Sequence, residues 1–127
     1  MYSHNMVGTN DLAESKTFYD AVFTAVGGPE GVVDEAGTRV TYRHKDGAFI
    51  AIRPINGEPA TVANGNTIGF VMDNPEQCNA WHAAGLAAGG TAIEDPPGPR
   101  DFAGMKLYLA YLRDPTGHKL CALHMMD

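Results

Sequence analysis

At 127 residues the chain suits one compact domain with its own core, and 44% hydrophobic with 19% charged residues is the composition of an ordinary globular protein. A net charge of −6, with nine Lys and Arg scattered singly, excludes the basic stripe that nucleic acid requires. No apolar run reaches the roughly 20 residues that cross a bilayer, and the first residues lack a basic segment followed by an apolar core, so a cytoplasmic protein with no membrane partner is expected. Two cysteines without a CxxC pair indicate neither a disulfide framework nor a zinc knuckle.

In chain order, "HNMVGT" is a short apolar strand. Asp11 followed by Glu14 reads as a capping box opening a helix, with Ser15, Phe18, Val22 and Ala25 along one side and Gly27-Gly28 as the stop. Three strands are expected next, near "GVVDEA", "RVTYRH" and "AFIAIRP", the last two joined by a turn over His44–Gly47. Residues 55–65, rich in Asn, Gly and Pro, read as a connector. The same order then repeats. "TIGFVM" is a strand, Asn74 caps a helix with Pro75 at its first position and Gln77 in the glutamate's role, and Gly89-Gly90 ends it. "TAIED" follows as a short strand, "PPGPRDFAGM" as a loop, "KLYLAYLR" as a strand, "DPTG" as a turn and "HKLCALHM" as the last strand.

An offset of 63 positions carries Asp11 onto Asn74, Phe18 onto Trp81 and Ala21 onto Ala84, so the chain reads as two fused modules, about 1–54 and 66–127, within a single domain. The expected fold is α+β: two βαβββ modules forming an open, concave, barrel-like pair of sheets with the helices outside. Alternation places Val7, Ile50, Ile52, Ile68, Phe70, Leu120 and Ala122 under the helices. The opposite face then carries His4, Met6, Phe49, Ala51, Arg53, Thr67, Gly69, Cys121 and Leu123, with Tyr108 on the same side and Tyr111 turned toward a helix. Two such sheets side by side would curl around a shared hollow suited to a small ligand, with no carboxylate on its lining.

Two segments, "SHNMVGTNDLAESKTFYDAV" and "YLRDPTGHKLCAL", make the chain resemble the vicinal oxygen chelate superfamily of glyoxalases, bleomycin- and fosfomycin-resistance proteins and extradiol dioxygenases; "WHAAGLAAGGT" with "PPGPR" is similar to its glyoxalase-like branch. The resemblance implies a divalent metal held by one residue from the first and last strand of each module. Those positions are His4, Ala51, Thr67 and Cys121, with Ala51 placed by matching the turn glycines Gly47 and Gly117. Only His4 is a standard ligand of the family. Alanine cannot bind a metal, threonine is a weak neutral donor, and cysteine is a softer ligand than the expected glutamate, so no cofactor is expected.

The resemblance therefore implies either a lyase or isomerase of the lactoylglutathione-lyase kind working without the standard metal set, or a non-catalytic binding or sequestering protein of the bleomycin-resistance type; a purely structural dimerisation module is a third reading. Candidate contacts to a small anionic or carbonyl-bearing ligand are His4, Arg53, Thr67, Arg100, Tyr108 and Cys121. Arginine offers paired N–H donors to an anion, tyrosine a hydroxyl that orients it, and Cys121 is either a soft donor or a packed small hydrophobe. Against each stands the ordinary alternative of a solvated charge or a core aromatic. No glycine loop joins a strand to a helix in the manner of a nucleotide site. A homodimer is expected, because open sheets leave edges that must be paired or covered, and the resemblance implies two-fold assembly.

Overall fold

The computed structural model describes residues 1–126 and has two mixed sheets and two helices. The first module comprises β1 (His4–Gly8), α1 (Leu12–Thr24), β2 (Val32–Val33), β3 (Arg39–His44) and β4 (Gly47–Ile52), with sheet order β1-β4-β3-β2. The second comprises β5 (Ile68–Val71), α2 (Pro75–Ala87), β6 (Thr91–Ala92), β7 (Gly98–Phe102), β8 (Met105–Arg113) and β9 (Lys119–Met125), ordered β5-β9-β8-β6, with β7 also paired to β8. In each sheet the strand before the helix runs parallel to the last strand of its module, β1 with β4 and β5 with β9. The fold class is the one expected: open curved sheets, neither closed into a barrel.

Local chemistry sets the helix ends. Asp11 accepts from the Glu14 N–H at 3.0 Å, and Asn74 accepts from the Gln77 N–H at 2.8 Å. In the second helix Gln77 reaches back as well, accepting from the Asp73 N–H at 2.8 Å. Both helices stop through a glycine with positive φ, Gly27 at 85° and Gly89 at 103°; the next residue's N–H then reaches back five positions, Gly28 to the Phe23 carbonyl and Gly90 to the Gly85 carbonyl, each at 2.8 Å.

One expected loop is a strand. Residues 98–102 pair antiparallel with β8 through a tight turn in which Ala103 and Gly104 both have positive φ, 52° and 80°. Pro99 hides this element from a propensity reading, yet a proline is tolerated on an edge strand because the N–H it lacks is not needed there.

The strand phases also differ from expectation. Val7 pairs in register with Ala51, and Tyr42 with Phe49; all four lie in the main core with α1. Phe49 and Ala51 therefore face the helix, while Ile50 and Ile52 turn to the side of His4 and Met6. In β8, Ala110 and Leu112 join the core and Tyr108 packs against it, its hydroxyl donating to Asn79 of α2 at 2.9 Å. Tyr111 turns the other way, beside Cys121. Both strands are apolar at odd and even positions, so alternation carries no phase.

The two modules meet through their helix-bearing faces. One core cluster includes Phe18, Tyr19 and Val22 of α1, Cys78 and Trp81 of α2, and inner residues of both sheets. Close approach of the helices needs Gly85, since a Cβ there would stand 3.1 Å from Val22 Cγ1 and 3.2 Å from Phe18 Cε1. Within one chain the concave faces thus open separately, and the single shared hollow does not form. A polar pin completes the junction. Asp114, 3% exposed, accepts from the backbone N–H groups of Thr116, Gly117 and His118 at 2.8–3.0 Å and from the Tyr19 hydroxyl at 2.5 Å.

Removing the Tyr19 hydroxyl leaves one oxygen of a buried carboxylate without a donor. Tyr19→Phe is expected to lower the unfolding free energy by about 1.5–3 kcal/mol, measured by urea melts at neutral pH. Burial, and after it the Asp114 charge, raises the Tyr19 phenol well above its ordinary value. Its contribution is whole below about pH 10 and is lost as pH rises beyond that, because the unfolded chain then ionises first. The wild type should lose stability more steeply than Tyr19→Phe on the alkaline side, and equal slopes would show that the hydroxyl is not held by Asp114.

Candidate functional site

Register in the second sheet builds a cluster on its concave face. Tyr111 pairs with Cys121, Leu109 with Leu123, and Arg100 with Leu107, so these six side chains share one side. Leu107, Leu109 and Cys121 are buried there as a small cluster of their own, with Tyr111 and Leu123 packed against them. Around this apolar floor stand polar groups. Lys119 Nζ lies 5.0 Å from the centroid of the Tyr111 ring and is ion-paired with Glu94. Glu94 adopts a positive φ of 60° just after β6, which turns its carboxylate over the sheet. The Arg100 guanidinium is fixed by its own loop, donating to the carbonyls of Gly98 at 2.9 Å, Pro96 at 3.0 Å and Asp95 at 3.1 Å. These bonds hold the charge in place and leave further N–H donors free.

The candidate residues fall into three groups. Arg100 and Cys121 come together on this face, and Thr67, immediately before β5, lies at its lower end beside Lys119, in a cavity of about 430 Å³ that the connector residues Val62–Asn66 help to line. His4 belongs to the other sheet; it is exposed, and its Nδ1 lies 2.8 Å from the Ser3 hydroxyl. Arg53 and Tyr108 are corrections. Arg53 follows β4 with the parity of Phe49 and Ala51, not that of His4, and is exposed; Tyr108 is occupied with α2. The expected carboxylate-free lining is also corrected, by Glu94.

Tyr111, Lys119 and Glu94 were outside the candidate set. For Tyr111 the usable signal was the turn at 114–117: an antiparallel hairpin closed there brings Tyr111 opposite Cys121. Glu94 had no such signal, because its placement depends on a backbone conformation that glutamate seldom adopts.

The metal positions of the family can now be tested by donor chemistry. Met6 pairs with Ile50 and its repeat counterpart Gly69 with Cys121, so the residue equivalent to Cys121 in the first module is Ile50; Ala51 is replaced at that position. Neither can ligate. The set is then His4, Ile50, Thr67 and Cys121, with two donors of different softness and no carboxylate, and it does not fit a divalent cation. Among the described residues no three His, Cys, Asp or Glu side chains are grouped to hold a metal.

The glyoxalase/bleomycin resistance protein/dioxygenase superfamily model matches residues 2–122. The chain belongs to this superfamily. It is similar to a glyoxalase/bleomycin resistance protein from Albidiferax ferrireducens, 57% identical over 98% of both chains with a TM-score of 0.93. A glyoxalase-related enzyme from Fulvimarina pelagi (17% identical, 98% of this chain and 87% of that one, TM-score 0.73) shares the fold. So does a lactoylglutathione lyase from Agrobacterium tumefaciens (19% identical, 98% and 92%, TM-score 0.68). No curated protein matches the chain.

Burial pushes the Cys121 thiol up from its ordinary value, and the neighbouring Tyr111 hydroxyl opposes that shift by favouring the thiolate. Burial also pushes the Cys78 thiol up, to about 11. Since the thiolate is the nucleophile, iodoacetamide should label Cys121 more slowly than a free cysteine peptide at pH about 8, and Tyr111→Phe should slow it further. Peptide mapping by mass spectrometry reads both rates; faster labelling in Tyr111→Phe would show that the phenol does not act on the sulfur.

Proposed function

We propose that the protein binds a small anionic or carbonyl-bearing molecule on the concave face of its second sheet, without a divalent metal. Leu107, Leu109 and Leu123 form the apolar floor, Arg100, Tyr111 and Lys119 the polar anchors, and Thr67 and Cys121 the edges. The observation that carries this reading is the Arg100 guanidinium, pre-oriented by three carbonyls of its own loop beside an apolar cluster, on a face where the ligand positions offer no cation site. With Lys119 neutralised by Glu94, Arg100 is the charge left to attract an anion. Two buried free cysteines suit a reducing, cytoplasmic setting. No helix is long and apolar enough to cross a membrane.

Pyruvate, as a small keto acid, is the first probe. Calorimetric titration should show saturable binding that weakens ten- to a hundredfold in Arg100→Ala, the worth of one charge-assisted hydrogen bond. Elemental analysis of the purified protein should find no stoichiometric nickel, zinc or iron. About one metal per chain, lost in His4→Ala, would overturn the metal-free reading.

Glu94 supports a second reading, a metal-independent lyase or isomerase, because it brings a carboxylate to the Tyr111–Cys121 pair. Protein-dependent exchange of the α-protons of dihydroxyacetone for solvent deuterium, lost in Glu94→Gln, would favour it over binding alone.

The open concave faces also support a homodimer. Met6 is 42% exposed, Val71 86%, Phe102 64% and Met125 50%, and all four lie on concave faces. Apolar surface of this kind is covered when a second copy lays its first sheet against this second one. Light scattering should give twice the chain mass of 13.5 kDa, and Phe102→Asp should shift it toward the monomer. A wild-type monomer at high micromolar concentration would reject the assembly.

A further inference from the structure

A second recess lies on the helix-bearing side, away from Arg100 and Cys121. A cleft of about 530 Å³ opens between the C-terminal end of α1, the turn joining β3 to β4, and strand β5. Its floor is aromatic. Phe23, Phe49 and Phe70 come one from each of these elements or their sheets and meet edge to face, with centroids 5.3–5.8 Å apart. The cleft stays open because α1 ends in Gly27 and Gly28, which line it and carry no side chain to fill it. Its rim is charged unequally. Arg43 and Lys45 stand on the turn side with no salt bridge among the described residues, facing one carboxylate, Asp73, on the β5 side.

We propose that this cleft is a separate binding site for a small aromatic carboxylate, whose ring lies against Phe23, Phe49 and Phe70 and whose carboxylate is taken by Arg43 and Lys45. A volume of this size is in the range of small-ligand pockets. Three phenyl edges and faces offer an incoming ring the same tilted geometry they adopt with one another, which an alkyl chain would not use. Two unpaired cations favour a negative head group over a neutral or positive one, and arginine matches the planar carboxylate with paired N–H donors. The site does not depend on the reading given to the concave face.

The chain contains a reporter. Trp81, the single tryptophan, packs with its ring centroid 6.4 Å from that of Phe70, so a ligand against Phe70 should alter its emission. The probe is 2-naphthoate, with 2-naphthalenemethanol as its neutral counterpart. Saturable change of Trp81 fluorescence is expected with naphthoate. The alcohol should bind ten- to a hundredfold more weakly, and Arg43→Ala/Lys45→Ala should weaken naphthoate by at least that factor. Arg100→Ala should leave naphthoate binding unchanged, which separates this site from the concave face. Equal affinity for acid and alcohol, no saturable binding, or binding that disappears as protein concentration rises because a second copy covers the cleft would each overturn the proposal.

Discussion

The molecule turns on one buried carboxylate. Asp114 is the only charged side chain among the buried described residues, and such a group is tolerable only when its lone pairs are taken by donors. Three come from the turn that Asp114 itself begins; the fourth, the Tyr19 hydroxyl, comes from the helix of the other module, 95 residues away. Next to it His118 Nε2 lies 2.8 Å from the Gly8 carbonyl, a second link from the same turn to the end of β1. Satisfying Asp114 therefore fixes α1 against the second sheet. The rest follows from that docking: the helices touch at Gly85, the aromatic cluster closes between the modules, and the concave faces are turned outward. The same junction that stabilises the chain leaves its concave surfaces exposed.

That arrangement shows which parts of the fold a sequence can carry. Helix caps, glycine stops and the tandem order were legible because each depends on a few neighbouring residues. Asp11, Asn74 and Gln77 make the hydrogen bonds their types suggest, and Gly27 adopts the left-handed conformation expected of it. Strand phase was not legible where a strand is covered on both sides. In "AFIAI" any assignment of faces buries an apolar residue, and only pairing with β1 decides that Ala51 goes under the helix and Ile50 does not. A one-residue error in β8 likewise exchanged Tyr108 for Tyr111. The candidate site was thus readable in its rim, through Arg100 and Cys121, and misread at its centre. Edge strand β7 was hidden for a different reason, because proline there removes a hydrogen bond that the fold does not use.

Replacing metal ligands changes the electrostatics of such a surface as well as its coordination chemistry. A site of acidic ligands is built to offset a cation's charge, and without that cation it would repel anions. Here Ile50 and Thr67 carry no charge, Glu94 is neutralised by Lys119, and Arg100 supplies an uncompensated positive group. The face that in a metal site would prefer a cation is left in this chain with a preference for an anion. Burial acts in the same direction at Cys121 and Tyr111, whose raised values keep both groups neutral near pH 7 and so add no negative charge to the surface.

The tandem design gives the two sides of the sheets different recognition chemistry. On the concave side, strands from a single module supply the floor, so ligand contacts are set by strand register, and one-residue changes of phase exchange the whole set of side chains. On the helix-bearing side, the cleft exists only where two modules meet, and its aromatic walls come from both. A substitution that loosens the Tyr19–Asp114 junction should therefore disturb the cleft while leaving the pairing of Tyr111 with Cys121 intact, since that pairing is held by the β8–β9 ladder of one sheet. The two surfaces are independent in their local chemistry and linked only through the docking of the modules, so stability at the junction controls one of them and not the other.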